Sequence, residues 1–218
     1  MFDFKDVGGF VFDCDGTLLD TLGAWEEAER DLFAQAGDLS AAQEDELHAA
    51  PIEEACRIFH ERYGVGTSAE AVLAHLDGFL LPYYRDVAKP MPGAIDFVRR
   101  VRAEGIPCVV LSSSPRRYLE AGLAHIGIQD AFDELVTTDE AGCSKQDFAI
   151  YERACRILGC GREAVWAVDD APYAVDIMGR FGFRTIAPLN GASEEREKLL
   201  RERATIVAPT LESLLMDE

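Results

Sequence analysis

Short apolar runs alternate with amphipathic helical stretches through the second half of the chain, and no other feature constrains the fold as strongly. A glycine or proline stands at most of the junctions. Because parallel strands need helical crossovers between them, this order predicts a parallel sheet with helices on both faces. The predicted segments are helix 94–104, strand 107–111, helix 115–126, strand 134–137, helix 146–158, strand 164–168, helix 172–181 and strand 183–187.

The first half of the chain has a different pattern. Residues 9–12 form an apolar run typical of a buried parallel strand. Residues 21–88 then show helical periodicity without a convincing strand. Helices are predicted there over 24–36, 44–49, 52–63 and 69–85. The first strand is thus separated from the later ones by a helical insertion.

This separation predicts two domains. Residues 1–20 and 89–218 form an α/β core, and residues 21–88 form an inserted α-helical domain. The C-terminal part of the core adds three further predicted elements: a charged helix at 193–203, an edge strand at 205–207 and a short helix at 210–216. We interpret this C-terminal part as structural.

The overall charge excludes two classes of partner. Forty acidic and twenty-one basic side chains give a formal charge of -19, which repels nucleic acid and anionic membrane surfaces. No apolar run approaches the ~20 residues that span a bilayer. Residues 1–6 lead directly into the first strand, so we expect no leader. The six cysteines form no Cys-x-x-Cys pair and predict reduced thiols. We expect a cytoplasmic protein that binds neither nucleic acid nor membrane.

Two carboxylates follow the first strand, at Asp13 and Asp15. Their i, i+2 spacing at a strand end projects both side chains from the same edge. Like charges this close need either a shared proton or a cation. A carboxylate nucleophile beside a general acid/base suits phosphoryl transfer.

Polar residues also follow the later strands. Ser112 and Ser113 end the strand at 107–111, with Ser114 expected to cap the following helix. Lys145 stands at a predicted helix N-terminus, where its charge opposes the macrodipole and therefore suggests a functional reason. Asp169 and Asp170 end the strand at 164–168. The carboxyl ends of parallel strands are where ligands bind in open α/β sheets.

The motif Phe12-Asp13-Cys14-Asp15-Gly16-Thr17-Leu18 resembles the first signature of the haloacid dehalogenase superfamily, in its phosphatase and β-phosphoglucomutase-like branch. The other three motifs follow in the family's order, so the resemblance covers about residues 8–190. It implies a Rossmann-like parallel-sheet core with a helical cap inserted after the first motif. It also implies a Mg²⁺-dependent hydrolase that acts on a small phosphorylated metabolite through an aspartyl-phosphate intermediate.

The resemblance assigns a role to each motif residue. Asp13 is the nucleophile and Asp15 the general acid/base. Ser112 and the Ser113 backbone N–H bind the phosphoryl oxygens. Lys145 holds both the phosphoryl group and the nucleophile.

A Mg²⁺ site is implied in the same way. Its ligands are Asp13, the backbone carbonyl of Asp15 and Asp170, with Asp169 acting directly or through water. Oxygen ligands of this kind suit Mg²⁺, which also keeps several waters. Which of the two adjacent aspartates binds directly is left open.

Substrate choice is expected to depend on the cap. Its candidate contacts are Trp25, His48, the stretch 49–51, Arg57, His60, Tyr83 and Tyr84, although the favoured interpretation of each is a residue of the cap core or of the surface. Arg116 and Arg117 are candidates for a second anionic group, or are surface residues.

Four alternatives use parts of the same pattern. A sugar phosphomutase needs a cap arginine, whereas residues 48–54 contain none and are acidic. A receiver-type signalling domain lacks the Asp-x-Asp pair and the insertion. A non-catalytic relative would miss a catalytic position. A dehalogenase has no use for Asp15 or for the metal carboxylates.

Overall fold

A parallel sheet lies at the centre of the protein. The computed structural model describes residues 1–216, apart from the side chains of Ala41, Asp45, His48 and Ala49. Six strands pair in parallel in the order β5-β4-β1-β6-β7-β8, and β2 pairs with β3 in a separate antiparallel ribbon. The strands are β1 Gly9–Phe12, β2 Leu19–Asp20, β3 Lys89–Pro90, β4 Cys108–Ser112, β5 Glu134–Thr137, β6 Val165–Val168, β7 Arg184–Pro188 and β8 Ile206–Ala208.

Helices cover the sheet and fill the insertion. The insertion contains α1 Leu22–Ala36, α2 Ala41–Ala49, α3 Ile52–Tyr63 and α4 Ala69–Asp86. The remaining helices are α5 Ala94–Ala103, α6 Arg116–His125, α7 Thr138–Ala141, α8 Phe148–Leu158, α9 Pro172–Phe181 and α10 Glu194–Arg203. In the described part of the chain, no helix is long and apolar enough to cross a membrane.

The predicted α/β fold is confirmed, and the differences are local. The ribbon of β2 and β3 and the short helix α7 were not predicted, because elements of two to four residues carry no readable periodicity. Helix α2 begins at residue 41 rather than 44, since Gln43 accepts the Ser40 backbone N–H at 2.9 Å and extends the first turn. The helix predicted at 210–216 is only a 3-10 turn, Glu212–Leu214.

Strand β1 is buried on both faces of the sheet. Phe10 and Phe12 pack against Phe97 of α5, with ring centroids 5.7 and 6.1 Å apart. Val11 points to the other face and packs in the cluster that contains Ile150 of α8. Burying such side chains contributes about 1.5–3 kcal/mol each. This packing holds the end of β1, where the two predicted catalytic carboxylates begin, in one position.

The helical insertion, residues 21–88, enters and leaves the core at adjacent points. Leu19 pairs with Pro90, and Asp20 pairs with Lys89. A second contact ties the insertion to the core, because Asp77 of α4 accepts hydrogen bonds from Arg117 at 2.6 Å and Tyr118 at 2.5 Å, both at the start of α6. The insertion therefore lies over one edge of the sheet.

Candidate active site

Neighbouring strand ends bring the predicted site residues together. Ser112 ends β4, Asp13 follows β1 and Asp169 follows β6, and these three strands are adjacent in the sheet. Lys145 lies in the loop between α7 and α8, and its backbone carbonyl accepts a hydrogen bond from the Tyr151 hydroxyl at 2.5 Å. All these side chains share one edge, as the parallel topology requires.

Lys145 bridges two carboxylates in a buried network. Its Nζ donates to Asp13 Oδ1 at 2.5 Å and to Asp169 Oδ2 at 2.9 Å. Burial lowers the pKa of the Lys145 ammonium, but the Asp13 and Asp169 charges outweigh it and leave that pKa well above its ordinary value. The ammonium therefore stays charged.

The surroundings of Asp13, in contrast, favour its neutral form. Burial raises the pKa of Asp13 well above its usual range; Lys145 opposes this rise, and the carboxylates of Asp169, Asp170 and Asp15 add to it. Only 7% of the residue is exposed. An ionised Asp13 therefore depends on nearby positive charge, which Lys145 supplies in part.

Asp15 is held by a different set of donors. Thr21 Oγ1 donates to its Oδ1 at 2.6 Å, and Ser114 Oγ donates to its Oδ2 at 2.6 Å. The Tyr84 hydroxyl, from α4 of the insertion, also donates to Oδ1, and it accepts from Trp25 Nε1 at 2.7 Å. Burial raises the pKa of Tyr84, with the Asp15 charge adding to it, so the phenol stays a donor. The insertion thus contacts this carboxylate directly.

The turn after Asp15 needs glycine for two reasons. Gly16 has a φ of +80°, a conformation that L side chains rarely adopt. A Cβ at this position would also lie 2.6 Å from Asp170 Oδ2 and 2.8 Å from Leu22 Cδ1. Thr17, which follows, donates its hydroxyl to Asp170 Oδ1 at 3.0 Å. The turn therefore joins the first and last motifs.

Arg196 was missed by the sequence interpretation, which treated the C-terminal part as structural. From α10 it forms an ion pair with the Asp170 carboxylate and donates to the Asp170 carbonyl at 2.9 Å. Burial and the Asp169 charge raise the pKa of Asp170 to about 6, while Arg196 opposes that rise. No local pattern distinguishes Arg196 from the other arginines of this charged helix.

The carboxylates fit a divalent cation. Oxygens of Asp13, Asp169 and Asp170 lie within 4.8 Å of one another, and all three residues are buried. Buried like charges at this spacing favour a cation, and an all-oxygen donor set suits Mg²⁺. The contacts do not distinguish Asp169 from Asp170 as the direct ligand, since Lys145 engages one and Arg196 the other.

The serine run differs from the prediction in one respect. The prediction that Ser114 caps the following helix is wrong: α6 begins at Arg116 with Pro115 at the N-cap, and the Ser114 hydroxyl turns to Asp15 instead. Ser112 Oγ accepts the Ser114 N–H at 3.0 Å. Ser113 is exposed and lines the cavity above Asp13.

The other predicted contacts divide into two groups. Trp25 and Ala50 line the cavity. The following residues instead make contacts that do not involve the site's carboxylates: Arg57 with Glu54 and Glu61, His60 with the Val65 carbonyl, Tyr83 with the Asp20 carbonyl, Arg116 with Glu134 and Glu140, and Arg117 with Asp77. The side chains of His48 and Ala49 lie outside the described part of the structure.

A cavity of about 270 Å³ connects the strand ends with the underside of the insertion. Its core side presents Asp13, Asp15, Ser113 and Lys145, and its other side is formed by helices of the insertion. Among the described side chains that line it, the basic ones are Lys145 and Arg196, both from outside the insertion. The arrangement can bind an anion next to the Asp13 carboxylate.

Comparisons with known proteins agree with this geometry. Residues 7–181 match a family model described as a haloacid dehalogenase-like hydrolase. Validoxylamine A 7'-phosphate phosphatase from Streptomyces hygroscopicus subsp. limoneus is 27% identical, over 79% of this chain and 81% of that protein. (S)-2-haloacid dehalogenase from Pseudomonas putida is 25% identical, over 88% and 89%.

The fold is also found among solved structures. The crystal structure of CbbY from Rhodobacter sphaeroides in complex with phosphate matches this chain with a TM-score of 0.74 at 20% identity. The match covers 95% of this chain and 96% of that one. At this identity the likeness concerns the fold alone.

Proposed function

We propose, for a chain that belongs to the haloacid dehalogenase-like hydrolase family, that it is a Mg²⁺-dependent phosphatase acting on a small phosphomonoester. One observation carries the proposal. Asp13 is held by Lys145 at 2.5 Å beside two further carboxylates, while Asp15 is held separately by hydroxyl donors. The two carboxyls therefore have different environments, which is how acid/base and nucleophilic roles are divided.

In the first step, a carboxylate oxygen of Asp13 attacks phosphorus and forms an O–P bond. The bond from phosphorus to the ester oxygen breaks, and Asp15 gives its proton to that leaving oxygen. Lys145 favours the ionised form of Asp13 and holds a phosphoryl oxygen. Ser112 and the Ser113 backbone N–H serve as further phosphate donors.

In the second step, water attacks the aspartyl phosphate. Asp15, now ionised, takes a proton from this water, and the O–P bond to Asp13 breaks to release inorganic phosphate. The hydroxyls of Thr21, Ser114 and Tyr84 hold the Asp15 carboxylate in place through both steps.

Asp13, the Asp15 carbonyl and Asp170, with Asp169, would hold the Mg²⁺. A bound Mg²⁺ supplies positive charge that offsets the carboxylates and polarises a phosphoryl oxygen. The raised pKa values of Asp13 and Asp170 support this assignment, since both groups need added positive charge to ionise.

The domain organisation is part of the same proposal. Residues 1–20 and 89–218 form the catalytic core, and residues 21–88 form a cap that closes over the substrate. The adjacent entry and exit at β2 and β3 support a hinge there. Opening has to break the hydrogen bonds between Asp77 and α6, and the bond between Tyr84 and Asp15.

A mutase and a dehalogenase are less well supported. A mutase needs a cationic group on the cap for a second phosphate, and the insertion contributes no described basic side chain to the cavity. In a dehalogenase the leaving group is a halide, which needs no proton, so Asp15 would have no role as a general acid. The hydroxyls of Thr21, Tyr84 and Ser114 nonetheless position Asp15.

Acetyl phosphate hydrolysis tests the proposal. Asp13→Asn should lower kcat/KM at least about a hundredfold, because an amide cannot act as the nucleophile. Asp38→Asn, an exposed site in the insertion, is the matched control. EDTA should remove the wild-type activity, and added Mg²⁺ should restore it. More than about a hundredth of the activity left in Asp13→Asn, or full activity in EDTA, would contradict the proposal.

A further inference from the structure

The cavity above Asp13 is apolar on the side formed by the insertion. We call this side the apolar wall and define it by Leu32, Leu47, Ile52, Ala55, Phe59 and Leu76. Its five larger members are each at most 7% exposed. They come from all four helices of the insertion, so the wall is built by the tertiary fold and not by one amphipathic face.

Polar atoms on this side are few, and two of the three polar groups have partners. Among the described side chains that the insertion contributes, they belong to Trp25, Glu29 and Cys56. The Trp25 N–H is donated to Tyr84 at 2.7 Å. Burial raises the pKa of the Cys56 thiol to about 12, which leaves a neutral, weak donor. Glu29 has an interaction partner of its own.

The size of the cavity argues against a simple packing defect. Protein interiors contain few voids larger than one water. This cavity, at about 270 Å³, has the volume of roughly nine waters in the liquid. It also opens onto the nucleophile, as ligand pockets of mostly apolar lining with a few convergent polar groups do.

On this basis, and resting on the proposed phosphatase function, we propose that the leaving group of the substrate is an aliphatic or aromatic alcohol rather than a polyhydroxylated sugar. Each methylene buried against the apolar wall improves binding by about fourfold. Each sugar hydroxyl placed there loses its water and finds few donors or acceptors, which weakens binding. The phosphoryl group is recognised on the core side, so discrimination falls on the organic part.

A series of n-alkyl phosphates tests the proposal with wild-type protein and Mg²⁺. From ethyl to butyl to hexyl phosphate, kcat/KM should rise by about fourfold per methylene until the cavity is filled. Sorbitol 6-phosphate has the same number of carbons as hexyl phosphate and carries five hydroxyls. Hexyl phosphate should be preferred over it by at least about a hundredfold, since several hydroxyls lose hydration.

A substitution that fills part of the cavity tests whether the apolar wall sets the preference for chain length. Ala55→Leu should shorten the preferred alkyl chain, so that kcat/KM falls more for hexyl phosphate than for ethyl phosphate. Ala74→Leu, at an exposed position of α4, is the matched control and should leave the dependence on chain length unchanged. Inhibition by n-alkyl phosphonates gives a binding readout without turnover, and the inhibition constant of the wild type should fall along the same series.

The outcomes separate this inference from the function it rests on. If the protein hydrolyses acetyl phosphate but uses sorbitol 6-phosphate as well as or better than hexyl phosphate, the inference of an apolar leaving group is wrong. The proposed function is not affected by that result. A phosphonate series with no dependence on chain length would do the same. No hydrolysis of acetyl phosphate or of any ester would overturn the proposed function, and this inference with it.

Discussion

Replacing Lys145 by methionine removes the cation from a buried carboxylate cluster, and the structure predicts a large loss of stability without metal. The Lys145 side chain is 6% exposed, and those of its partners Asp13 and Asp169 are 9% and 2% exposed. Methionine keeps the length and the apolar contacts of the side chain. The substitution therefore removes mainly the charge.

The magnitude follows from burial. Removing one partner of a buried ion pair costs about 3–5 kcal/mol, because the other charge is left uncompensated. Here one ammonium serves two carboxylates, and a third, Asp170, lies within 4.8 Å of both. Proton uptake by Asp13 limits the cost. We therefore expect the free energy of unfolding to fall by about 3 kcal/mol or more at pH 7 in EDTA.

Mg²⁺ and pH should both reduce this loss. Metal at a hundred times its dissociation constant stabilises a folded protein by about 2.7 kcal/mol, and the variant should gain more than the wild type because it has lost a competing cation. The pKa of Asp13 is raised in the folded state, so that state binds more protons than the unfolded chain. Lowering the pH through this pKa therefore favours the folded variant.

Urea unfolding followed by circular dichroism measures these effects. The series is wild type, Lys145→Met and the control Lys198→Met, each in EDTA and in Mg²⁺. Lys198 is exposed on α10, and its substitution should change stability by less than about 0.5 kcal/mol. A loss below about 1 kcal/mol for Lys145→Met in EDTA, far under the expected cost of a broken buried pair, would refute the reasoning.

Two further substitutions test the surroundings of the carboxylates. Tyr84→Phe removes a donor from Asp15 and should lower kcat about tenfold, as expected for a lost hydrogen bond to a charged group; Tyr83→Phe is the control, and equal rates for the two variants would argue against a positioning role. Arg196→Ala removes the cation paired with Asp170 and should tighten Mg²⁺ binding about tenfold by calorimetry, since a competing charged hydrogen bond is lost. An unchanged dissociation constant would show that Arg196 does not compete with the metal.

The sequence predicted the elements whose patterns are long enough to read. The strands and the long helices appear within a few residues of their predicted bounds, because burial of a face imposes a period on the residues themselves. The ribbon of β2 and β3 and the helix α7 could not be predicted this way. Two to four residues contain no period, and the ribbon also depends on pairing between residues on either side of the helical insertion.

The sequence also predicted that the residues at the strand ends lie close together, because this follows from the sheet topology. Asp13, Ser112 and Asp169 each follow a strand, and a parallel sheet brings the carboxyl ends of its strands to one edge whatever lies between them. Once the strands were recognised, their proximity followed from topology. The proximity of Asp13, Ser112 and Asp169 is therefore the part of the site for which the sequence was sufficient, whereas Lys145 was assigned to the site by the resemblance to the family.

Other contacts were decided by the tertiary structure alone. Tyr84 meets Asp15 across 69 residues, and Arg196 meets Asp170 across 26. Neither has a local pattern, because each depends on how one helix is rotated and where it packs. The apolar wall belongs to the same class, since six apolar residues on four helices line a cavity only where packing leaves space between them. Periodicity tells which side chains are buried, but the shape that they enclose is set by the packing of whole helices.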